Sequence, residues 1–94
     1  MIKILIERRI MPGLEAEYEL AAKEAMRASI NARGFIAGES LCERYHPERR
    51  LLITQWRDLT AWKSWLHSPE RERVMQRVLP LLSDEEHIRL YEHC

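Results

Sequence analysis

The first ten residues, MIKILIERRI, set Ile2, Ile4, Ile6 and Ile10 in alternation with Lys3, Glu7 and Arg9. A period of two puts one apolar face on a strand and cannot do so on a helix. The pattern predicts a strand over residues 2–10, ended by Pro12-Gly13. A lone strand is not stable in water, so the remaining chain must supply sheet partners and a layer to cover the isoleucines.

It does so with a change of period. From Leu14 the apolar positions Leu14, Tyr18, Ala21, Ala22, Ala25, Met26 and Ile30 recur at three and four, opposite Glu15, Glu19, Lys23 and Arg27. This predicts an amphipathic helix that stops near Gly34. Residues 35–44 (FIAGESLCER) and 50–57 (RLLITQWR) then read as two strands around a Pro-containing turn at 45–49, an antiparallel hairpin. Asp58 is placed to cap a short helix carrying Trp62, Trp65 and Leu66. Ser68 followed by Pro69 starts another with Val74, Val78 and Leu79, which Pro80 should end. Residues 87–92 alternate again and form a last strand.

The order is βαββααβ, an α+β chain. Two crossovers over a four-stranded antiparallel sheet give the split βαβ arrangement, with the helices on one face. No repeat or linker interrupts the 94 residues, so 1–94 is expected to be one domain. The third strand offers Leu52, Thr54 and Trp56 to one side but Leu51 and Ile53 to the other. A second, partly apolar sheet face predicts a homodimer built sheet to sheet.

Composition narrows the partners. Fifteen basic residues balance fifteen acidic ones, so no long-range field gathers nucleic acid or an anionic membrane. Twelve of the basic residues are Arg, scattered among glutamates as solvated ion pairs. The hairpin strands lack the glycine-spaced aromatic pattern of an RNA-recognition domain. Cys42 and Cys94 have neither CxxC nor metal-ligand spacing and should stay unbridged, on opposite edges of the sheet. The N-terminus is charged too early for a signal peptide, and no apolar run reaches the roughly 20 residues of a membrane span. A soluble, cytoplasmic protein is expected.

The segments IERRIMPG, RGFIAGESL, LITQWRDLTAWKSWLHSPER and IRLYE, in this order and spacing, resemble the antibiotic biosynthesis monooxygenase family. The resemblance covers nearly the whole chain. It implies a dimer of ferredoxin-like subunits, each with a small-molecule cavity between sheet and helices. Members differ in chemistry: some oxidise phenolic or quinol substrates with molecular oxygen and no bound cofactor, some break down haem, and many have no assigned reaction.

Set against quinone-forming members, Trp56 matches their tryptophan at the end of the third strand, whereas Leu52 replaces an Asn and Trp62 a Tyr. Set against haem-degrading members, Arg8, Trp65 and Met75 stand where those carry Asn, Trp and His. The resemblance therefore implies a cofactor-free monooxygenase acting on a small aromatic substrate. A non-catalytic ligand-binding or stress-response module is the alternative, and a haem-degrading relative a lesser one.

Such oxygenation asks for an electron-rich substrate held dry and oriented. Trp56 and Arg8 are the expected catalytic residues, Arg8 stabilising a phenolate or carboxylate. Trp62, Trp65, Leu52, Thr54, Ile4, Ile6 and Met75 are expected to line the cavity, with no metal. The competing roles are plain ones: core for the tryptophans, gap filling for Met75, and an ion pair with a neighbouring Glu for Arg8. Glu7 and Glu39 are the candidate proton acceptors. His46, His67, His87 and His93 are read as surface or edge residues.

Overall fold

The computed structural model describes residues 1–94 and has the elements β1 (Ile2–Arg9), α1 (Glu15–Ile30), β2 (Phe35–Glu43), β3 (His46–Trp56), α2 (Leu59–Leu66), α3 (Pro69–Val78) and β4 (His87–Glu92). The strands form one antiparallel sheet in the order β2-β3-β1-β4, the ferredoxin-like arrangement. A 3-10 turn at Leu79–Leu81 follows α3. No helix is long and apolar enough to cross a membrane.

The alternation in β1 is realised as predicted. Ile2, Ile4, Ile6 and Arg8 are buried while Lys3 and Arg9 are exposed. The register pairs Ile4 with Thr54, Ile6 with Leu52 and Arg8 with Arg50, so these six side chains share the face that carries the helices. Glu7 pairs with Leu51, and Leu5 with Ile53, on the outer face. Strand β1 ends one residue early, and Ile10 instead bridges Leu82.

The hairpin differs from the expected five-residue turn. Its turn is Arg44-Tyr45 alone, with Tyr45 in the left-handed region at φ 71° and Glu43 paired to His46. β3 therefore starts at His46, and the register jump between Cys42 and Glu43 leaves Pro47–Arg49 as a bulge. The bulge is where a proline without an N–H is tolerated in a strand. The Pro47 carbonyl accepts from Arg50 Nε at 2.7 Å, and the Glu48 carbonyl from the Ile10 amide at 2.8 Å.

Helix starts follow the sequence signals. The Asp58 carboxylate accepts from the Ala61 amide at 2.8 Å, and the Ser68 hydroxyl from the Arg71 amide at 3.1 Å, with Pro69 in the first turn. That amide bond, aided by Arg57, holds the Asp58 carboxyl below its ordinary pKa. Gly34 turns the chain out of α1 at φ 86°, and a Cβ there would meet Ala61 Cβ at 2.4 Å.

Two apolar clusters hold the layers together. Ile2, Ile4, Ile6 and Trp56 pack under Ala61, Trp62 and Trp65 of α2. Ile10, Tyr18, Ala21 and Leu82 pack with Val74, Met75 and Val78 of α3. Ile30, expected on the inner stripe of α1, is 55% exposed in the last turn of the helix, where Ser29 is buried instead. Cys42 on β2 and Cys94 beyond β4 are free and exposed at opposite edges of the sheet.

Candidate functional site

The two clusters do not meet everywhere. Between them α1 presents Ala22, Ala25 and Ser29 toward β2 and β3, and β2 presents Gly38. Such small groups cannot fill the gap to the sheet, and a cavity of about 430 Å³ remains. This is the usual scale of a small-molecule site.

Seven residues expected from the sequence line it: Ile6 and Arg8 of β1, Leu52 and Thr54 of β3, Trp62 and Trp65 of α2, and Met75 of α3. Face parity explains their convergence, since β1 and β3 point the same residues inward and α2 and α3 lie over them. Ile4 is wholly buried beneath the wall.

Trp56 does not reach the wall. It is fully buried one step further along β3, opposite Ile2, with its ring against Phe35 at 5.3 Å, Trp62 at 5.8 Å and Trp65 at 6.3 Å. Its indole N–H donates to Thr54 Oγ1 at 2.9 Å. Its role is to back the wall that Thr54, Trp62 and Trp65 form.

The candidate proton acceptors also point elsewhere. Glu7 lies on the outer face and pairs with Arg89 at 3.0 Å. Glu39 is paired with Ile53 of that same face, although it borders the cavity at the exposed β2 side. None of the four histidines lines the cavity.

Arg8 is paired, but not with a sequence neighbour. Its Nε donates to Glu86 at 3.0 Å, Nη1 to the Tyr18 hydroxyl at 3.1 Å and Nη2 to Met75 Sδ at 3.8 Å. Arg71 of α3 holds the other oxygen of Glu86 at 2.7 Å. Burial opposes the charge on Arg8, yet Tyr18 and Glu86 outweigh it and hold the guanidinium above its ordinary pKa. Burial likewise pushes Glu86 up, and Arg8 with Arg71 more than reverse this, leaving its carboxyl below the usual 4.5. Arg50 closes the outer end, stacked 5.4 Å over the Tyr18 ring and paired with Glu19.

Tyr18, Arg71 and Glu86 were not evident from sequence. Tyr18 sat on an apolar stripe and read as core, and Glu86 lies in an aperiodic loop 78 residues from Arg8. The only signal was the charge of Arg8 itself, on a strand face otherwise made of isoleucine. A wider cleft of about 550 Å³ opens beside Glu7, Arg9, Leu41, Arg49 and His87, but its walls are mostly polar and charged, with no Phe, Tyr or Trp.

Met75 is a poor haem ligand here. Its sulfur already faces the Arg8 guanidinium, and a buried cation repels a metal cation. No histidine lines the wall, and of the other possible iron ligands there Tyr18 is bonded to Arg8 while Cys42 is exposed.

Fold and cavity together define a ferredoxin-like α+β protein with a partly open cavity that Trp62 and Trp65 help to line. The antibiotic biosynthesis monooxygenase family model matches residues 1–77, and the chain belongs to that family. No curated protein matches it by sequence. Among solved structures, it is similar to an antibiotic biosynthesis monooxygenase at 14% identity and TM-score 0.90, covering 100% of this chain and 99% of that one. SnoaB, a cofactor-independent oxygenase from Streptomyces nogalater, aligns at 19% identity and TM-score 0.87, covering 99% and 93%. A conserved protein from Methanosarcina mazei aligns at 18% identity and TM-score 0.89, covering 96% and 89%. At these identities the likeness is one of fold.

Proposed function

We propose that the protein is a cofactor-independent monooxygenase that oxidises a small phenol- or quinol-like substrate with molecular oxygen. One observation carries the reading: a cavity walled by the indoles of Trp62 and Trp65 ends at the buried guanidinium of Arg8. Flat aromatic walls orient a planar ring, and a fixed cation stabilises the electron-rich anion that passes an electron to oxygen. The stoichiometry closes without a reductant: a phenol and O₂ give a quinone and water, one oxygen atom entering the ring and the other leaving as water.

The protein works as a homodimer in this reading, joined through the outer sheet face, where Leu5, Leu41, Leu51 and Ile53 are all left without full burial. Its free thiols suit the reducing cytoplasm. A second reading, a binding module without turnover, is favoured by the lack of a free carboxylate or imidazole at the cavity's inner end. Oxygen uptake with a panel of quinols and catechols separates the two. Uptake by colourless purified protein is expected, whereas tight ligand binding with no uptake supports the binding module.

A further inference from the structure

The polar end of the cavity is rich in donors and poor in acceptors. Arg8 is 7% exposed and Tyr18 1% exposed, and both line the space. The Tyr18 oxygen receives a hydrogen from Arg8, and its own O–H has no acceptor among the protein's groups. Arg8 directs one N–H at a thioether, a weak acceptor, and Arg71 uses a single N–H on Glu86.

Charge points the same way. Two guanidiniums share one carboxylate, so the inner cluster of Arg8, Arg71 and Glu86 carries a surplus positive charge. Glu86 does not line the cavity, while Arg8 and Arg71 do. The carboxylate lies outside the lining and fixes both arginines, which border the space. Every buried polar atom already has one partner, but the spare hydrogens of the Tyr18 hydroxyl and the guanidiniums have none, and a charged acceptor answers them best.

We propose that this end is an oxyanion site, and that the ligand is an aryl oxyanion, a carboxylate or phenolate, held by the Tyr18 hydroxyl and the guanidiniums of Arg8 and Arg71. The proposal rests on the aromatic-ligand reading of the cavity and names the form in which the ligand enters it. Tyr18 and Arg71 are binding residues here, and Glu86 positions the two arginines.

The test uses tryptophan fluorescence titration of the whole protein with two anions, 2-naphthoate and 4-nitrophenolate, each beside its neutral partner, methyl 2-naphthoate and 4-nitroanisole. At least one anion should bind tenfold or more tightly than its neutral partner, and the pair that discriminates identifies the oxyanion. Tyr18→Phe should weaken that anion roughly tenfold, the size of one charge-assisted hydrogen bond, and leave the neutral partner within about twofold. Arg71→Lys, which keeps a charge beside Glu86, should act in the same direction should Tyr18→Phe fold poorly. Equal affinity for anions and neutral partners, equal weakening of both by each variant, or binding of neither would overturn the site. Oxygen uptake is read in parallel: anion-selective binding without uptake supports the site and sinks the oxygenase reading, whereas uptake from neutral quinols with no anion preference sinks the site alone.

Discussion

The indole N–H of Trp56 is bonded to the hydroxyl of Thr54, two residues back on the same face of β3, at 2.9 Å. That bond turns the only polar atom of the ring into the wall and leaves its carbon framework among Phe35, Trp62 and Trp65. Trp56 is therefore a support for the cavity. Trp56→Phe should lower stability by about 1–3 kcal/mol through the lost bond and the unfilled volume. Naphthoate affinity per folded molecule should stay within about twofold, whereas Trp62→Phe on the wall should change affinity more than stability. Urea unfolding beside fluorescence titration checks both, and an affinity loss for Trp56→Phe larger than that for Trp62→Phe would contradict the assignment.

Glu86 joins β1 to α3 through Arg8 and Arg71, and its side chain is only 10% exposed. In the unfolded chain it titrates near 4.5, and in the fold lower, because both guanidiniums favour its charged form. Its contribution is thus complete above the unfolded value and is lost as pH falls through the depressed one. Thermal unfolding of the native protein should be flat above about pH 5 and decline below it. Glu86→Gln should cost up to about 3 kcal/mol at pH 7 by leaving the buried Arg8 and the half-buried Arg71 against a neutral amide, and should flatten the acid decline. An unchanged slope below pH 5 in the variant would show that other carboxylates govern it.

Much of this was legible in the sequence because each element carries its own period and cap. Ile2 to Arg8 and Leu52 to Trp56 fix which side chains face the helices once the two strands pair, and that parity alone assembles Ile6, Arg8, Leu52 and Thr54. Parity gives a face but not a depth, which is why Trp56 falls behind the wall. The Pro47 bulge hid because a proline between two strand-like runs reads as a turn. Glu86 hid for a different reason, since a loop residue that meets Arg8 from 78 positions away leaves no local pattern.

Gly13 and Gly34 both have positive φ, at 85° and 86°, yet their surroundings differ. A Cβ on Gly13 meets nothing within 4 Å, while one on Gly34 would lie 2.4 Å from Ala61 Cβ, where α2 crosses the start of β2. Gly13→Ala should cost only the backbone penalty, about 1–2 kcal/mol. Gly34→Ala adds an overlap worth roughly 1–3 kcal/mol more. Melting temperatures of the two variants should separate clearly, and equal values would mean that α2 shifts freely to make room.

The outer face of the sheet is where a second copy is expected to pack. Leu5 stands opposite Ile53, and Leu51 opposite Leu41, forming an apolar centre with Lys3, Glu7, Glu39 and Arg89 around it. A symmetric partner would cover the leucines while rim charges meet charges of opposite sign, and a stable pair needs about 800 Å² from each subunit. Light scattering at micromolar concentration should give twice the chain's 11.3 kDa. Ile53→Glu places a charge in the apolar centre of each copy without touching the helix-side core, because residue 53 lies on the sheet face opposite the helices. The variant should run near 11.3 kDa with its helices intact by circular dichroism. A native protein already monomeric at micromolar concentration, or an Ile53→Glu variant that remains dimeric, would remove the outer sheet face as the interface.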